Sequence, residues 1–398
     1  MDTITHGIAG ALISKALFRG DELLSKRALS AARLVTWATM LGAIFPDADV
    51  FAALFPHNDM LMISWHRSVT HSLLCLPAFA LGLALLTQWF AGRRNWACPP
   101  LALLTLAYAT GIASHIGLDY LNSFGIMLWS PLDWSRPAGD LLFILDFTFS
   151  AIMLLPQALA WVYESEDVSV RRALRAWLGC VLAVLVITSV SQRLYVHVTT
   201  VTALVVAVFL AVLIYGPMLR GRGLRISRAA WCRAGLVLVV AYLGGAVMAH
   251  RAALERVKQF VAMERIEAQS LAAMPYPPSL WHWDGMVRTP RGVYVVRVDL
   301  DQPEAGGAES AGALEYSYYP DAPGSQLIEE AKALPEIQKL QAFMRFPVTR
   351  FHKEGSGSVV DFLDLRFHSA VPGRPLPFTY RVRLDAGGHV VAKGWLTR

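Results

Sequence analysis

Four short stretches within the first 122 residues carry side chains able to bind a metal ion. Asp2-Thr-Ile-Thr-His6 opens the chain, and Phe45-Pro-Asp47-Ala-Asp49 follows. His66-Arg67-Ser-Val-Thr-His71 comes next, then His115-Ile-Gly-Leu-Asp119 with Asn122 after it. Asp2/His6 and His115/Asp119 stand four residues apart, so on a helix each pair shares one face. Two ligands can then converge on one ion. Imidazole and carboxylate together suit zinc, with manganese or iron as alternatives. Carboxylates also bridge paired ions about 3.5–4 Å apart, a geometry that serves phosphoester hydrolysis. As a set, His6, His71, His115 and Asp119 read as a metal site, and Asp47 is favoured over Asp49 as its further ligand. Singly, each His reads equally well as a satisfied residue at a helix end. Asp47 and Asp49 can instead cap the next helix. Arg67 is either a headgroup anchor or a bidentate clamp for phosphate.

The elements that must position these residues are apolar. The chain has 398 residues, 55% of them hydrophobic and only 17% charged, with mean hydropathy +0.42. Soluble proteins carry roughly 25% charged residues, so the bilayer is the natural solvent here. Spanning its core takes about 20 apolar residues. Runs at 34–46 continuing to 50–55, 72–92, 95–118, 141–163, 176–192, 194–219 and 234–249 qualify or come near. With the short Ile4–Phe18 run, which can also lie in the interface or inside the bundle, the count is about eight passes.

Every second connection is basic, through Lys15–Arg33, Arg93–Arg94, Arg171–Arg175 and Arg220–Arg233. Such loops lie in the cytoplasm, which places all four motifs, and both termini, on the outer face. Residues 1–250 hold 18 Lys+Arg against 13 Asp+Glu, and residues 251–398 hold 18 against 17. A surplus spread over short loops fits membrane orientation and not nucleic-acid binding. Cys75, Cys98, Cys180 and Cys232 form no CxxC and read as small core residues. No cleavable signal peptide is expected, because acidic Asp2 stands where a basic segment belongs.

The tail alternates with period two. Strands are expected at Gly292–Leu300, Leu314–Tyr319, Val359–Phe367, Phe378–Leu384 and Val390–Trp395, with a hairpin turn at 385–388. Residues 328–343 read as one amphipathic helix, and 303–312 as a loop. The fold class is therefore an all-α polytopic membrane domain over 1–250, a helical linker over 251–270, and a small α+β extracytoplasmic domain over 271–398. Asp133, Asp140 and Asp146 precede or open the fifth pass, and Asp146 is the most promising of the three as a functional residue.

The four motifs resemble those of the YdjM/YbcI-type membrane-bound metal-dependent hydrolases. The matching residues are Asp2, Thr5 and His6; Pro46, Asp47 and Asp49; His66, Arg67, Thr70, His71 and Ser72; and His115, Asp119 and Asn122. Trp129-Ser-Pro131 and Asp146 are similar to that family's next block. The likeness covers roughly residues 1–150, and the tail has no counterpart. The order of ligands is also similar to the zinc-dependent phospholipase C and single-strand nuclease superfamily. That likeness implies His6, Asp47, His66, His115 and Asp119 as metal ligands, but the later ligands of those enzymes have no clear match.

The expected function is metal-assisted hydrolysis of a phosphoester, of a phospholipid or lipid-linked substrate, using one or two divalent ions, zinc first. Asp49 or Asp2 is expected as proton acceptor and Arg67 as phosphate holder. A metal or ion transporter and a non-catalytic membrane scaffold are the alternatives.

Overall fold

Helix α1 (Thr3–Leu17) starts where the Asp2 carboxylate accepts the Thr5 amide, a side-chain cap of the first turn. Its 15 residues rise about 22 Å, short of a hydrocarbon core of about 30 Å. Nine of the 15 are buried, so α1 packs inside the bundle. The computed structural model describes residues 1–18, 26–54, 60–163, 170–193, 200–219, 226–276, 280–301, 314–368, 376 and 378–396. The expected 303–312 loop and part of the basic 220–233 connection lie outside them.

Helix α2 (Lys26–Ile44) continues into 3-10 turns over Phe45–Leu54, and short α3 (Leu61–Ser64) precedes a second 3-10 turn at Val69–His71. Helices α4 (Leu76–Arg93) and α5 (Leu101–Tyr120) form a hairpin. After an irregular connection come α6 (Phe147–Val162), α7 (Val170–Arg193), α8 (Thr200–Leu219) and α9 (Arg228–Met263). Small residues set the closest contact. A side chain at Gly42 would meet the Tyr108 carbonyl at 2.6 Å, and one at Gly111 would strike the Thr39 backbone. Bare glycines therefore let α2 and α5 approach backbone to backbone, as membrane helices do.

Among the described residues three helical stretches are long and apolar enough to cross a membrane: Ala31–Phe51, Leu101–Tyr120 and Arg228–Met263. The count of about eight passes is not supported. Helix α6 has only 16 residues and Pro156 within them. The apolar part of α8, Val201–Gly216, is short. Helix α7 carries Arg171, Arg172 and Arg175 in its opening turns, and α4 includes Gln88 and Arg93.

The tail is two four-stranded antiparallel sheets in chain order. The first holds β1 (Ser270–Tyr276), β2 (His282–Thr289), β3 (Gly292–Asp299) and β4 (Tyr316–Pro320). The second holds β5 (Pro347–Glu354), β6 (Gly357–Asp364), β7 (Tyr380–Leu384) and β8 (Val390–Trp395). Between them lie α10 (Gln326–Lys332) and α11 (Pro335–Phe343). The single helix expected here breaks because Pro335 forces Leu334 into an extended conformation, ψ 135°. The 385–388 turn forms as expected, with Gly388 at φ +85° and Asp385 accepting the Gly387 and His389 amides.

Strands β1, β2 and β5 lie outside the expected set, and β1 and β2 are covered on both faces. Ala253, Val257 and Phe260 at the end of α9 pack on one side with Trp283 and Val287. Phe346, Val348 and Leu363 near the second sheet pack with Met274 and Met286 on the other. Strands buried on both faces lose alternation.

The same tail grips the membrane half. Phe124 of the α5–α6 connection inserts among Phe343, Phe367 and Phe378, beside Met60 and Ile63.

Candidate metal centre

Each motif reaches the centre from a different element. His6 comes from the first turns of α1, Asp47 and Asp49 from the 3-10 segment after α2, His71 from the turn before α4, and His115 and Asp119 from the last turns of α5. Asp47, His71, His115 and Asp119 converge, with one ligand atom of each within 4.8 Å of all the others. All four are buried, and His71, His115 and Asp119 have no exposed surface.

Hydrogen bonds outside the group fix which atoms point into it. His115 Nδ1 lies 2.6 Å from the Ala43 carbonyl. A carbonyl only accepts, so Nδ1 carries the proton and Nε2 presents a lone pair. The close α2–α5 packing at Gly42 and Gly111 is what brings that carbonyl within reach. His71 Nδ1 faces Thr70 Oγ1 at 3.0 Å and Asp49 Oδ2 at 3.5 Å, which holds its proton there and turns Nε2 inward. The two Nε2 atoms then stand 3.0 Å apart.

Carboxylate oxygens join them. Asp47 Oδ1 is 3.5 Å from His115 Nε2 and 3.8 Å from His71 Nε2. Asp119 Oδ2 is 3.5 Å from both. With both imidazole protons held at Nδ1, the four inward-facing atoms are all acceptors, an arrangement that a cation resolves. A tetrahedral zinc with bonds of about 2.0–2.1 Å spaces its ligands about 3.3 Å apart, close to these separations. Asp119 Oδ2 accepts no well-directed hydrogen bond, although Arg67 Nε lies 2.9 Å away. The residues therefore fit a divalent ion.

A second layer orients this group. Thr3 Oγ1 donates to Asp47 Oδ2 at 2.6 Å. His6 Nε2 stands 3.2 Å from Asp119 Oδ1, and its ring stacks on His115 at 3.7 Å. The Met1 amino group also donates to Asp119 Oδ1. Arg67, at φ +63° and 4% exposed, donates to Asp119 Oδ1 and to Asn122 Oδ1. Burial lowers the Arg67 guanidinium from its ordinary value, while Asp119, Asp47 and Asp49 work against that shift.

Other expected residues sit apart. His66 Nδ1 donates to Asp49 Oδ1 at 2.9 Å, and Asp49 also accepts from the Arg67 amide and Thr70; neither is in the converging group. Asp2 gives both its oxygens to Thr5. Asp146 is a structural anchor, capping α6 at Phe149 and accepting from Tyr242 at 2.7 Å. Asp140 pairs with Arg345 in the tail, and Asp133 binds Ser135 at the surface.

Three contributors carry no sequence signal. The Ala43 carbonyl is backbone, and Thr3 is one threonine among many. Arg136 holds the His66 loop by donating to the Ile63 and His66 carbonyls at 2.9 and 3.1 Å. Burial, with Arg366 and Arg67 close by, lowers its guanidinium to about 9.

Residues 1–198 match the family model described as YdjM inner membrane protein. That half of the chain belongs to the YdjM inner membrane protein family. All four motifs fall inside the YdjM region, as do two of the three membrane-length stretches. The sheets of the tail lie beyond it. The chain matches no curated protein and no solved structure.

Proposed function

We propose that this YdjM-family protein is a divalent-metal hydrolase that cleaves a phosphoester, the substrate being a phospholipid or another lipid-linked phosphoester. One observation supports the reading above all: four buried acceptors of two Asp and two His converge with outward-held protons. Zinc suits this donor set best, with manganese or iron as substitutes, and the proposed count is one or two ions. Asp47, His71, His115 and Asp119 are assigned as ligands. His6 and His66 border them, the former on Asp119 and the latter on Asp49.

A bound divalent ion supplies a water that ionises near neutral pH. Asp49, oriented by His66, is the carboxylate assigned to proton transfer. Asp2 is less suited, since it serves as the cap of α1, whereas Asp49 Oδ2 stands 3.5 Å from the His71 ring. Arg67 holds Asp119 in place and sets positive charge beside the phosphate. The basic loops favour a site and tail facing the periplasm, where lipid headgroups meet the centre without leaving the bilayer.

Elemental analysis of the detergent-purified chain tests this, beside a His115→Ala/Asp119→Ala variant. Stoichiometric zinc or manganese lost in the variant, with phosphate-ester cleavage in phospholipid vesicles lost alongside, is the expected result. No metal in either protein after supplementation overturns the reading.

A further inference from the structure

A cavity of about 830 Å³ opens beside the metal centre along α2, α4 and α5. Small-molecule sites span roughly 300–1,000 Å³. Its chemistry is one-sided. Thr3 and Asp47 stand at one end, joined by the 2.6 Å hydrogen bond that ties Asp47 to the centre. From there the walls are apolar: Leu34, Leu41 and Ile44 of α2, and Leu83, Leu86 and Phe90 of α4. Two hydroxyls farther along bind each other. Tyr108 and Thr87 share a 2.7 Å hydrogen bond, and Thr87 also donates to the Leu83 carbonyl. From Leu34 to Ile44 the helix rises about 15 Å, so the cavity is an elongated groove. Its rim is open and apolar, for Trp37, Leu41 and Leu86 are 57%, 48% and 58% exposed.

We propose that this groove holds an acyl chain of the phospholipid whose phosphate sits at the metal centre. The assignment rests on the hydrolase reading of that centre. A long apolar channel with a single polar end matches an amphiphile and no other common solute. An ordinary lipid-facing surface has no reason to be concave or to lead to a buried carboxylate. The open rim lets a chain enter sideways from the bilayer, so the headgroup reaches Asp47 while the lipid stays in the membrane. Recognition is thus divided: the centre reads the phosphate, and the groove reads the chain.

Photolabelling the full-length protein in detergent tests the proposal, with phosphatidylethanolamine carrying a diazirine in one acyl chain. Labelling should saturate and map to peptides containing Leu34–Ile44 and Leu83–Phe90. Unlabelled dioleoyl phosphatidylethanolamine should compete, and glycerol phosphate should not. Leu83→Trp fills the groove and should cut the labelling at least five-fold with metal content unchanged. Leu41→Trp enlarges a half-exposed side chain, tolerates folding more easily, and should act the same way. Labelling that never saturates, or that both variants leave intact, overturns the groove. Competition by glycerol phosphate equal to that by the lipid shows recognition of phosphate alone and also overturns it. Labelling needs no turnover, so a groove that labels as expected in a protein that takes up no metal after supplementation would keep the lipid site and sink the hydrolase. Stoichiometric metal without saturable labelling would do the reverse.

Discussion

Asp364 in the tail and Asp119 in the membrane half are both fully buried carboxylates with a guanidinium beside them, yet their remaining surroundings differ. Asp364 is met only by donors: the Arg366 guanidinium at 2.7 Å and the Arg345, Phe346 and Arg366 amides. Asp119 Oδ2 faces two imidazole lone pairs and lies in the same converging group as the Asp47 carboxylate. A buried acid with donors to match is architecture, because nothing is left over. A buried group with more acceptors than protons is incomplete without a cation. Burial and charge alone do not separate these cases; the direction of each proton does.

The comparison breaks first at Asp119. Asp119→Ala should abolish metal retention, read by elemental analysis, and with it any hydrolysis; Asp119→Asn, which keeps a partner for Arg67, should still lower metal affinity at least 100-fold. If either variant holds metal at the native stoichiometry, the four-acceptor group is only another satisfied network.

Arg366 is the matching cut in the tail. Arg366→Ala leaves Asp364 without its guanidinium and frees the Ser123 and Phe124 carbonyls, which Arg366 also binds at 3.2 Å. Breaking a buried pair costs about 3–5 kcal/mol, so the melting temperature should drop by several degrees. Metal content should persist. Loss of metal in this variant would show that the grip on Phe124, two residues from Asn122, is part of the centre itself.

These two regions were also unequally legible from sequence. The ligand motifs were visible because His and Asp at four-residue spacing are unusual in apolar helices, and Asp47, His71, His115 and Asp119 do converge. What orients them was hidden. The carbonyl of Ala43 bears no residue-type signal, and its position depends on Gly42 and Gly111 meeting across two helices. Pass counting failed where hydrophobicity hid length, as in α6 with its Pro156. Asp146 stands in an apolar run, where an N-cap and a functional acid look alike from sequence. In the tail, β3, β4, β6, β7 and β8 fall near the expected strands, whereas β1, β2 and β5 lie outside them.

Asp284 on β2 offers a gentler contrast, an incompletely matched acid in the tail. It is 6% exposed, and Arg297 stands 3.5 Å away. Burial raises its carboxyl from 3.8 to about 6, with Arg297 opposing and Asp299 adding to the shift. The folded state therefore holds a proton that the unfolded chain has released. Stability from this group is full below pH 4, falls as pH rises from about 4 to 6, and is gone above. The whole difference is about 3 kcal/mol. Thermal midpoints from pH 4 to 7.5 should show the native protein losing ground relative to Asp284→Asn, with the variant more stable at pH 7.5. Parallel curves would mean that Arg297 satisfies Asp284 as fully as Arg366 satisfies Asp364.

The smallest effect is expected at Asp2, and it sharpens the boundary of the centre. Asp2 stands four residues before His6, the spacing that suggests a ligand pair, but its oxygens accept from the Thr5 amide at 2.9 Å and the Thr5 hydroxyl at 2.6 Å. Those are the bonds of a helix cap. Removing such a cap costs about 1 kcal/mol, while a lost ligand costs the ion. Asp2→Ala should therefore lower the melting temperature slightly and leave metal stoichiometry unchanged. Asp2→Asn, which keeps an accepting oxygen, should restore most of the lost stability. Metal lost in Asp2→Ala but retained in Asp2→Asn would show that the first turn of α1 must be held for His6 to reach Asp119. Metal lost in both would move Asp2 from the helix cap into the centre.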